Sequence, residues 1–96
     1  MGDVLTRTVR VNVSAAMTRE ELHHLLSTAF AFPDYYGCNW DAFDECIREI
    51  STPVEILVEG MASLEVALPR DAKLMRQCLT DFAAGAPSGG VSLHVV

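Results

Sequence analysis

The spacing of hydrophobic residues along the chain predicts three strands and four helices in the order β-α-α-β-α-α-β. Runs rich in β-branched residues predict strands, whereas apolar residues three and four positions apart predict helices. The predicted strands are residues 4–13 (most reliably 9–13), 54–58 and 91–96. Because helical crossovers join parallel strands, we expect an α/β fold with a three-stranded parallel sheet packed against about four helices. The length of the chain suits a single domain over residues 1–96.

Local signals predict the helix boundaries and the faces of the sheet. Thr18 and Glu21 fit a capping box at the start of the first helix, and Pro69 fits the first turn of the last one. Residues 61–68 are ambiguous, and we favour a short helix there. The nearly continuous apolar run at 54–58 predicts a central strand covered on both faces, and residues 85–90 predict a loop. The residues predicted to face inward from the first and last helices are Leu22, Leu25, Leu26, Ala29, Phe30, Ala72, Met75, Cys78, Leu79, Phe82 and Ala83.

Residues 32–47 predict a loop that leads into the second helix, which we expect to end near Ile50. Gly37 is expected to take a backbone geometry that a side chain would strain. Asn39 is a good N-cap because its side-chain oxygen can accept a free backbone N–H. Helical spacing then separates a face expected in the core from a face expected in solvent. The core face carries Trp40, Phe43, Ile47 and Ile50, and the solvent face carries Asp41, Asp44, Glu45 and Arg48.

The acidity of the chain is concentrated in its middle. The formal net charge is −6, and residues 34–65 hold eight acids and one base, a local charge of −7. The remaining residues hold five acids and six bases, a local charge of +1. This distribution argues against nucleic acid as a ligand, because nucleic-acid binding needs a basic footprint. An acidic patch instead attracts basic protein surfaces.

Cysteine and histidine positions indicate neither a metal site nor a disulfide framework. Cys38, Cys46 and Cys78 match no zinc pattern and follow no secretory signal, so we expect reduced thiols in a cytoplasmic protein. Cys46 and Cys78 are expected in the core, and Cys38 is expected to be more exposed. His23 and His24 point about 100° apart on a helix, which does not suit one shared metal, so we expect surface or half-buried positions. No apolar run approaches a membrane span, and no cofactor is expected.

The stretch from residue 32 to residue 47 resembles the barstar family of intracellular inhibitors of a secreted, guanyl-preferring bacterial ribonuclease. The resemblance is carried by Phe32-Pro33-Asp34-Tyr35-Tyr36-Gly37-Cys38-Asn39-Trp40-Asp41-Ala42-Phe43-Asp44-Glu45-Cys46-Ile47. The family pattern has an apolar residue, Pro, an acid, Tyr-Tyr-Gly, any residue, Asn, an apolar residue and then Asp-Ala-Leu or similar. Outside this block the likeness is one of pattern, and the family's order of elements agrees with the order predicted above.

The resemblance implies that the helix after Tyr-Tyr-Gly fills the ribonuclease active site, with its acids where substrate phosphate would lie. Asp41 matches the family's first helix acid, and Glu45 matches the second, which is Asp in barstar. Tyr35 matches a tyrosine that stacks on the catalytic histidine of the enzyme, and Gly37 and Asn39 match residues that shape the loop. The residues expected at the partner surface are Tyr35, Tyr36, Gly37, Asn39, Asp41, Asp44, Glu45 and Arg48.

This chain departs from the family pattern at three places. Asp44 stands where barstar has Trp, Cys38 stands where it has Glu, and a remote acidic contact of the last helix falls near Ala84. We therefore expect an inhibitor of a secreted, basic microbial ribonuclease of the guanyl-specific type, monomeric when free and bound one to one. The alternative is an immunity protein that neutralises a different nuclease or toxin domain on the same scaffold.

The same acids could also serve an enzyme. Asp41, Asp44 and Glu45 could hold Mg²⁺ or act as a hydrolase pair, and acids in a first helical turn are also stabilised by the helix dipole without any further role. The three acids lie on one convex helix face, and no segment supplies a second wall. No nucleophile–base motif or phosphate-binding loop is present, so we expect no catalytic residue and no enzyme.

Overall fold

Three parallel strands form one sheet in the computed structural model, which describes residues 7–86 and 90–96. The strands are β1 (Arg7–Asn12), β2 (Val54–Glu59) and β3 (Val91–Val95), in the spatial order β1-β2-β3. The register places Ile56 of β2 between Val9 of β1 and Leu93 of β3. The predicted fold class and strand topology are confirmed. Residues 4–6 of the first predicted strand, and residues 87–89 of the predicted loop, lie outside the described residues.

Two helices connect each strand to the next. They are α1 (Arg19–Phe30) and α2 (Trp40–Ile47), followed by α3 (Met61–Ala67) and α4 (Pro69–Gly85). The short helix favoured for 61–68 is confirmed, and Pro69 is the first residue of α4 as predicted.

Side chains cap the start of α1 as predicted. The hydroxyl of Thr18 accepts the backbone N–H of Glu21 at 3.1 Å. The Glu21 carboxylate in turn accepts the N–H of Met17 at 2.9 Å. The first bond satisfies one free donor of the helix, and the second bond ties Met17, the residue before the N-cap, to the first turn, one position earlier than in a regular capping box.

The second helix is shorter than its hydrophobic pattern predicts. It ends at Ile47 rather than near Ile50. Beyond that point the N–H of Glu49 reaches the carbonyl of Cys46 at 3.2 Å, and the N–H of Ile50 reaches the carbonyl of Ile47 at 3.1 Å. These bonds span three residues instead of four, so the chain tightens into turns while Ile50 still packs against the core.

Within residues 7–86 and 90–96, only one face of the sheet is covered, and the prediction that β2 is covered on both faces is wrong. Val54, Ile56 and Val58 are buried, whereas Glu55, Leu57 and Glu59 on the other side of β2 are partly exposed. The apolar run misled the prediction because Leu57 is the only apolar residue among the three that face outward. All four helices therefore leave one polar sheet face open.

One hydrophobic core fills the space between the sheet and the helices. The predicted inward residues Leu22, Leu26 and Phe30 of α1 are buried, and Leu25 and Ala29 pack at its margin. On α4, the predicted set divides in the same way. Ala72, Met75 and Leu79 are buried, and Cys78, Phe82 and Ala83 are partly buried. Within the described residues, no helix is long and apolar enough to cross a membrane.

Candidate functional site

The loop before α2 turns its two adjacent tyrosines in opposite directions. The Tyr35 side chain is 80% exposed. Tyr36 is half-buried, and its hydroxyl is hydrogen-bonded to Nδ1 of His23. The Tyr36 ring also lies 5.0 Å from the ring of Phe32, which itself stacks on Phe30. The loop thus presents one aromatic ring to solvent and anchors itself to α1 with the next.

Asn39 joins this loop to α2 and is the predicted N-cap. Its Oδ1 accepts the backbone N–H of Ala42 at 2.8 Å, and its Nδ2 donates to the carbonyl of Gly37 at 3.1 Å. The unusual backbone geometry expected at Gly37 occurs instead at Cys38, where φ is 51°. Gly37 is small for a different reason, because a Cβ there would lie 3.1 Å from Asn39 Nδ2.

The acids of α2 differ in whether they are already paired. Asp41 and Glu45 are exposed and lie one turn apart, about 6 Å along the axis. Within the described residues neither takes part in an ion pair. Asp44 is half-buried and lies 2.9 Å from the guanidinium of Arg48. The polar face of α2 therefore offers two free carboxylates beside one neutralised pair.

The acidic stretch predicted from sequence is divided between two surfaces. Glu55 and Glu59 lie on the open sheet face, where Glu59 pairs with Arg10 at 2.7 Å and Glu55 lies 3.6 Å from the ring of His94. These two acids therefore do not extend the face of α2.

A carboxylate of α4 joins the acids of α2 instead. Asp81 of α4 lines the same cleft as Arg48 beyond the end of α2. Burial raises the pKa of the half-buried Cys78 thiol; the carboxylates of Asp44, Asp81 and Asp41 add to this shift, and Arg48 opposes it. Sequence analysis did not single out Asp81. Its position three residues after Cys78 on a helix is the signal that could have placed it beside α2.

His23 is fully buried, so the expectation of a surface or half-buried position is wrong. Its ring lies 4.3 Å from the ring of Trp40, and its Nε2 has no hydrogen-bond partner among the described residues. Burial lowers the pKa of His23; the charge of Asp71 opposes this shift, and the charge of Arg19 adds to it. His24, the adjacent residue, is exposed.

Asp71 is the second residue that sequence analysis missed. Only 6% of it is exposed, and its Oδ1 accepts hydrogen bonds from Trp40 Nε1 and Arg19 Nε, each at 2.9 Å. Trp40, expected in the core, is half-buried at this junction. An acid in the first turn of a helix is ordinary in sequence, because the helix dipole favours it there. Nothing in the local pattern indicates that Asp71 meets two other helices.

The described residues offer no group of three or more His, Cys, Asp or Glu side chains that could hold a metal ion. All three cysteines are free; Cys38 is exposed as expected, whereas Cys46 and Cys78 are only partly buried. The site presents an exposed aromatic ring and two free carboxylates on the outward face of a helix whose inner face is buried in the core. Such a surface is suited to contacting a basic concave partner.

Residues 6–96 match the family model described as Barstar (barnase inhibitor). The chain belongs to the barstar family. Membership implies inhibition of a barnase-type ribonuclease by binding, and the barstar family consists of inhibitors and not of enzymes. A comparison with curated proteins found no significant match.

Proposed function

We propose that this barstar-family chain inhibits its ribonuclease by covering the active site with the Tyr35 loop and the outward face of α2. The observation that carries the proposal is the pair of free carboxylates, Asp41 and Glu45, next to an exposed Tyr35. The opposite face of the same helix is fixed in the core by Phe43 and Ile47. The charges are therefore held rigidly where a partner can reach them.

The chemistry of the target explains why carboxylates suit this role. An enzyme that cleaves RNA must stabilise negative charge on phosphate, so its cleft holds cationic side chains. Carboxylates about 6 Å apart on one helix can address neighbouring phosphate subsites. Charge-assisted hydrogen bonds to such cations are short and strong. In the barnase–barstar complex itself, close charge pairs couple by about 1.5–7 kcal/mol, a range measured for that pair and taken here only as a scale.

The residues around these acids have different roles in the proposal. Tyr35 supplies a rigid aromatic contact of the kind that dominates interface energies. Tyr36, Gly37 and Asn39 hold the loop, because their polar groups bond to His23, Asn39 and Ala42 within the chain. The partner then meets a preorganised surface, which reduces the entropy lost on binding.

Asp44 and Arg48 lie at the edge of this proposed contact. Their mutual pairing at 2.9 Å cancels most of their field. We therefore assign them to steering and rim contacts rather than to the centre. A rim charge changes the association rate more than the lifetime of a complex.

The test is inhibition of a barnase-type ribonuclease by the parent chain and by Asp41→Asn and Glu45→Gln. Each variant removes one free charge with little change in shape, and we expect at least about a hundredfold weaker inhibition for Asp41→Asn. Glu65→Gln is the matched control, because Glu65 is exposed on α3 and loses the same charge. Parent-like inhibition by Asp41→Asn would show that the wrong face has been assigned.

A second candidate is immunity against a different nuclease domain on the same scaffold. It is favoured by the Asp44–Arg48 pair and by the exposed Cys38 with φ 51°. Asp44 and Cys38 are two of the positions at which this chain departs from the family pattern. A panel of purified nucleases distinguishes the two candidates. Binding to a nuclease outside the guanyl-specific type, with none to any guanyl-specific enzyme, would establish the second.

A further inference from the structure

The first turn of α2 is tied to two other helices through one buried carboxylate. Asp71 of α4 accepts Trp40 Nε1 from α2 and Arg19 Nε from α1 on the same oxygen, both at 2.9 Å. With 6% of its surface exposed, Asp71 is largely removed from water. A buried carboxylate is tolerated only when hydrogen-bond donors replace the water around it. Asp71 therefore needs the donors of Trp40 and Arg19, and these two bonds restrict where both side chains can lie.

The same tryptophan also contacts the residue that anchors the loop. Its ring lies 4.3 Å from the ring of His23, and His23 is hydrogen-bonded to the hydroxyl of Tyr36. Trp40 immediately precedes Asp41 in the chain, and Tyr36 immediately follows Tyr35. Two outward side chains of the proposed interface, Tyr35 and Asp41, are thus each the neighbour of an inward side chain in one connected cluster.

We propose that Asp71 is a positioning residue for the binding surface: it fixes the indole of Trp40 and, through it, the direction of Asp41. The proposal rests on the proposed function and adds to it a residue that is too buried to be the main contact of a ribonuclease. Its chemistry is a fixed acceptor for the indole N–H. In this role the negative charge of Asp71 affects binding by holding Trp40 and not by contacting the ribonuclease.

A purely structural role for Asp71 makes different predictions. As the third residue of α4 it would be stabilised by the helix N-terminus, and Arg19 alone could neutralise it. That role needs no bond to Trp40 and gives no reason for Asp41 to move. The two roles can therefore be distinguished by substituting Asp71 and measuring whether Trp40 and Asp41 are affected.

The binding experiment compares Asp71→Ala, Asp71→Asn and Trp40→Phe under conditions where each variant is shown to be folded. We expect Asp71→Ala to raise the Kd for a barnase-type ribonuclease at least about tenfold. Asp71→Asn should lose less, because an amide oxygen still accepts the indole N–H. Trp40→Phe keeps an aromatic ring beside His23 but removes the donor, so it should weaken binding without adding to the effect of Asp71→Ala.

A double-mutant cycle tests whether Asp71 acts through Asp41. With Asp41→Ala already present, Asp71→Ala should change Kd by less than about twofold, because the residue that it positions is gone. Glu65→Gln is the control, since it also removes a negative charge in contact with an arginine, at 3.3 Å from Arg76. A full, additive loss in the Asp41→Ala background, or tight binding by folded Asp71→Ala, would overturn the proposal.

The free protein provides a measurement that needs no ribonuclease. Trp40 is the only tryptophan, so it gives a single indole N–H signal in NMR spectra. Asp71→Ala should speed exchange of that proton with water by about tenfold or more and shift the NMR signal of the Asp41 backbone amide, while Glu65→Gln should do neither.

The outcomes that refute the two proposals are different. Failure of the parent to bind any barnase-type ribonuclease would refute the proposed function. Unchanged indole exchange and an unchanged Asp41 amide signal in Asp71→Ala would refute the positioning role. If Asp71→Ala does not fold, Trp40→Phe still reports the shift of the Asp41 amide and the loss of binding, and Asp71→Asn reports a smaller change in indole exchange.

Discussion

Two surfaces of this molecule carry acids close together in the sequence, yet they differ in what a partner can reach. On the face of α2, Asp41 and Glu45 have no ion-pair partner within the described residues. On the open sheet face, Arg10 holds Glu59 with two hydrogen bonds of 2.7 and 3.2 Å. Glu55 lies 3.6 Å from His94 on the same face. A local charge of a given sign is therefore available for binding only where the fold leaves it unsatisfied.

The largest expected effect is on inhibition, and it comes from removing two acids from one surface or the other. Asp41→Ala combined with Glu45→Ala should weaken inhibition by about 10³-fold or more, because truncating a buried interfacial charge costs about 2–5 kcal/mol each time. Glu55→Ala combined with Glu59→Ala changes the net charge equally and should leave inhibition within about threefold. The measurement is Kd by titration of ribonuclease activity. Equal losses from both pairs would mean that total charge, and not its location, governs binding.

The next effect separates the two adjacent tyrosines. Phenylalanine at position 36 removes the hydroxyl that bonds to His23, so Tyr36→Phe should lower the free energy of unfolding by about 1–3 kcal/mol. Tyr35→Phe should leave it nearly unchanged, because the Tyr35 side chain is mostly in water. Urea unfolding followed by circular dichroism measures both. A larger loss for Tyr35→Phe would contradict the inward and outward roles.

The free energy of unfolding should depend on pH through His23, the buried residue that packs against Trp40 of α2. Burial lowers the pKa of His23 below its ordinary value of 6.5, with Asp71 opposing and Arg19 adding to the shift. As the pH falls, His23 takes up a proton in the unfolded chain before it does so in the folded protein. The stability contributed by neutral, buried His23 is therefore complete above pH 6.5 and is lost as the pH falls towards the folded pKa. Relative to His23→Gln, the parent should lose up to about 1.4 kcal/mol of unfolding free energy per pH unit in that window. Parallel stability curves for the two proteins would exclude the effect.

The smallest effect concerns the rim of the α2 surface. Breaking the Asp44–Arg48 pair should change the unfolding free energy by only about 0.3–0.5 kcal/mol, the usual range for an ion pair between residues four positions apart on a helix surface. Its two halves should act oppositely on binding, because Arg48→Gln makes the surface more negative and Asp44→Asn less so. We expect the first to speed association with a basic ribonuclease by a few-fold at low salt and the second to slow it. Stopped-flow rates at two salt concentrations test this, and equal shifts in one direction would contradict steering.

Much of the fold could be predicted from local signals. The hydrophobic periods gave the order of the elements, and Thr18, Asn39 and Pro69 marked helix starts that the structure confirms. These signals work because capping and amphipathic periodicity act between residues within one turn of each other. The end of α2 and the open face of β2 were predicted wrongly, because both depend on what packs against the element and not on the element itself.

The sequence alone determined the placement of a tyrosine loop before an acidic amphipathic helix, since spacing of three and four residues is enough to separate Asp41 and Glu45 from Phe43 and Ile47. Only the tertiary structure decided which acids stay free and what supports them. Trp40 meets Asp71 across 31 positions, and Arg19 meets the same carboxylate across 52. Contacts between elements so far apart follow from how helices pack on a sheet, and no local pattern encodes them.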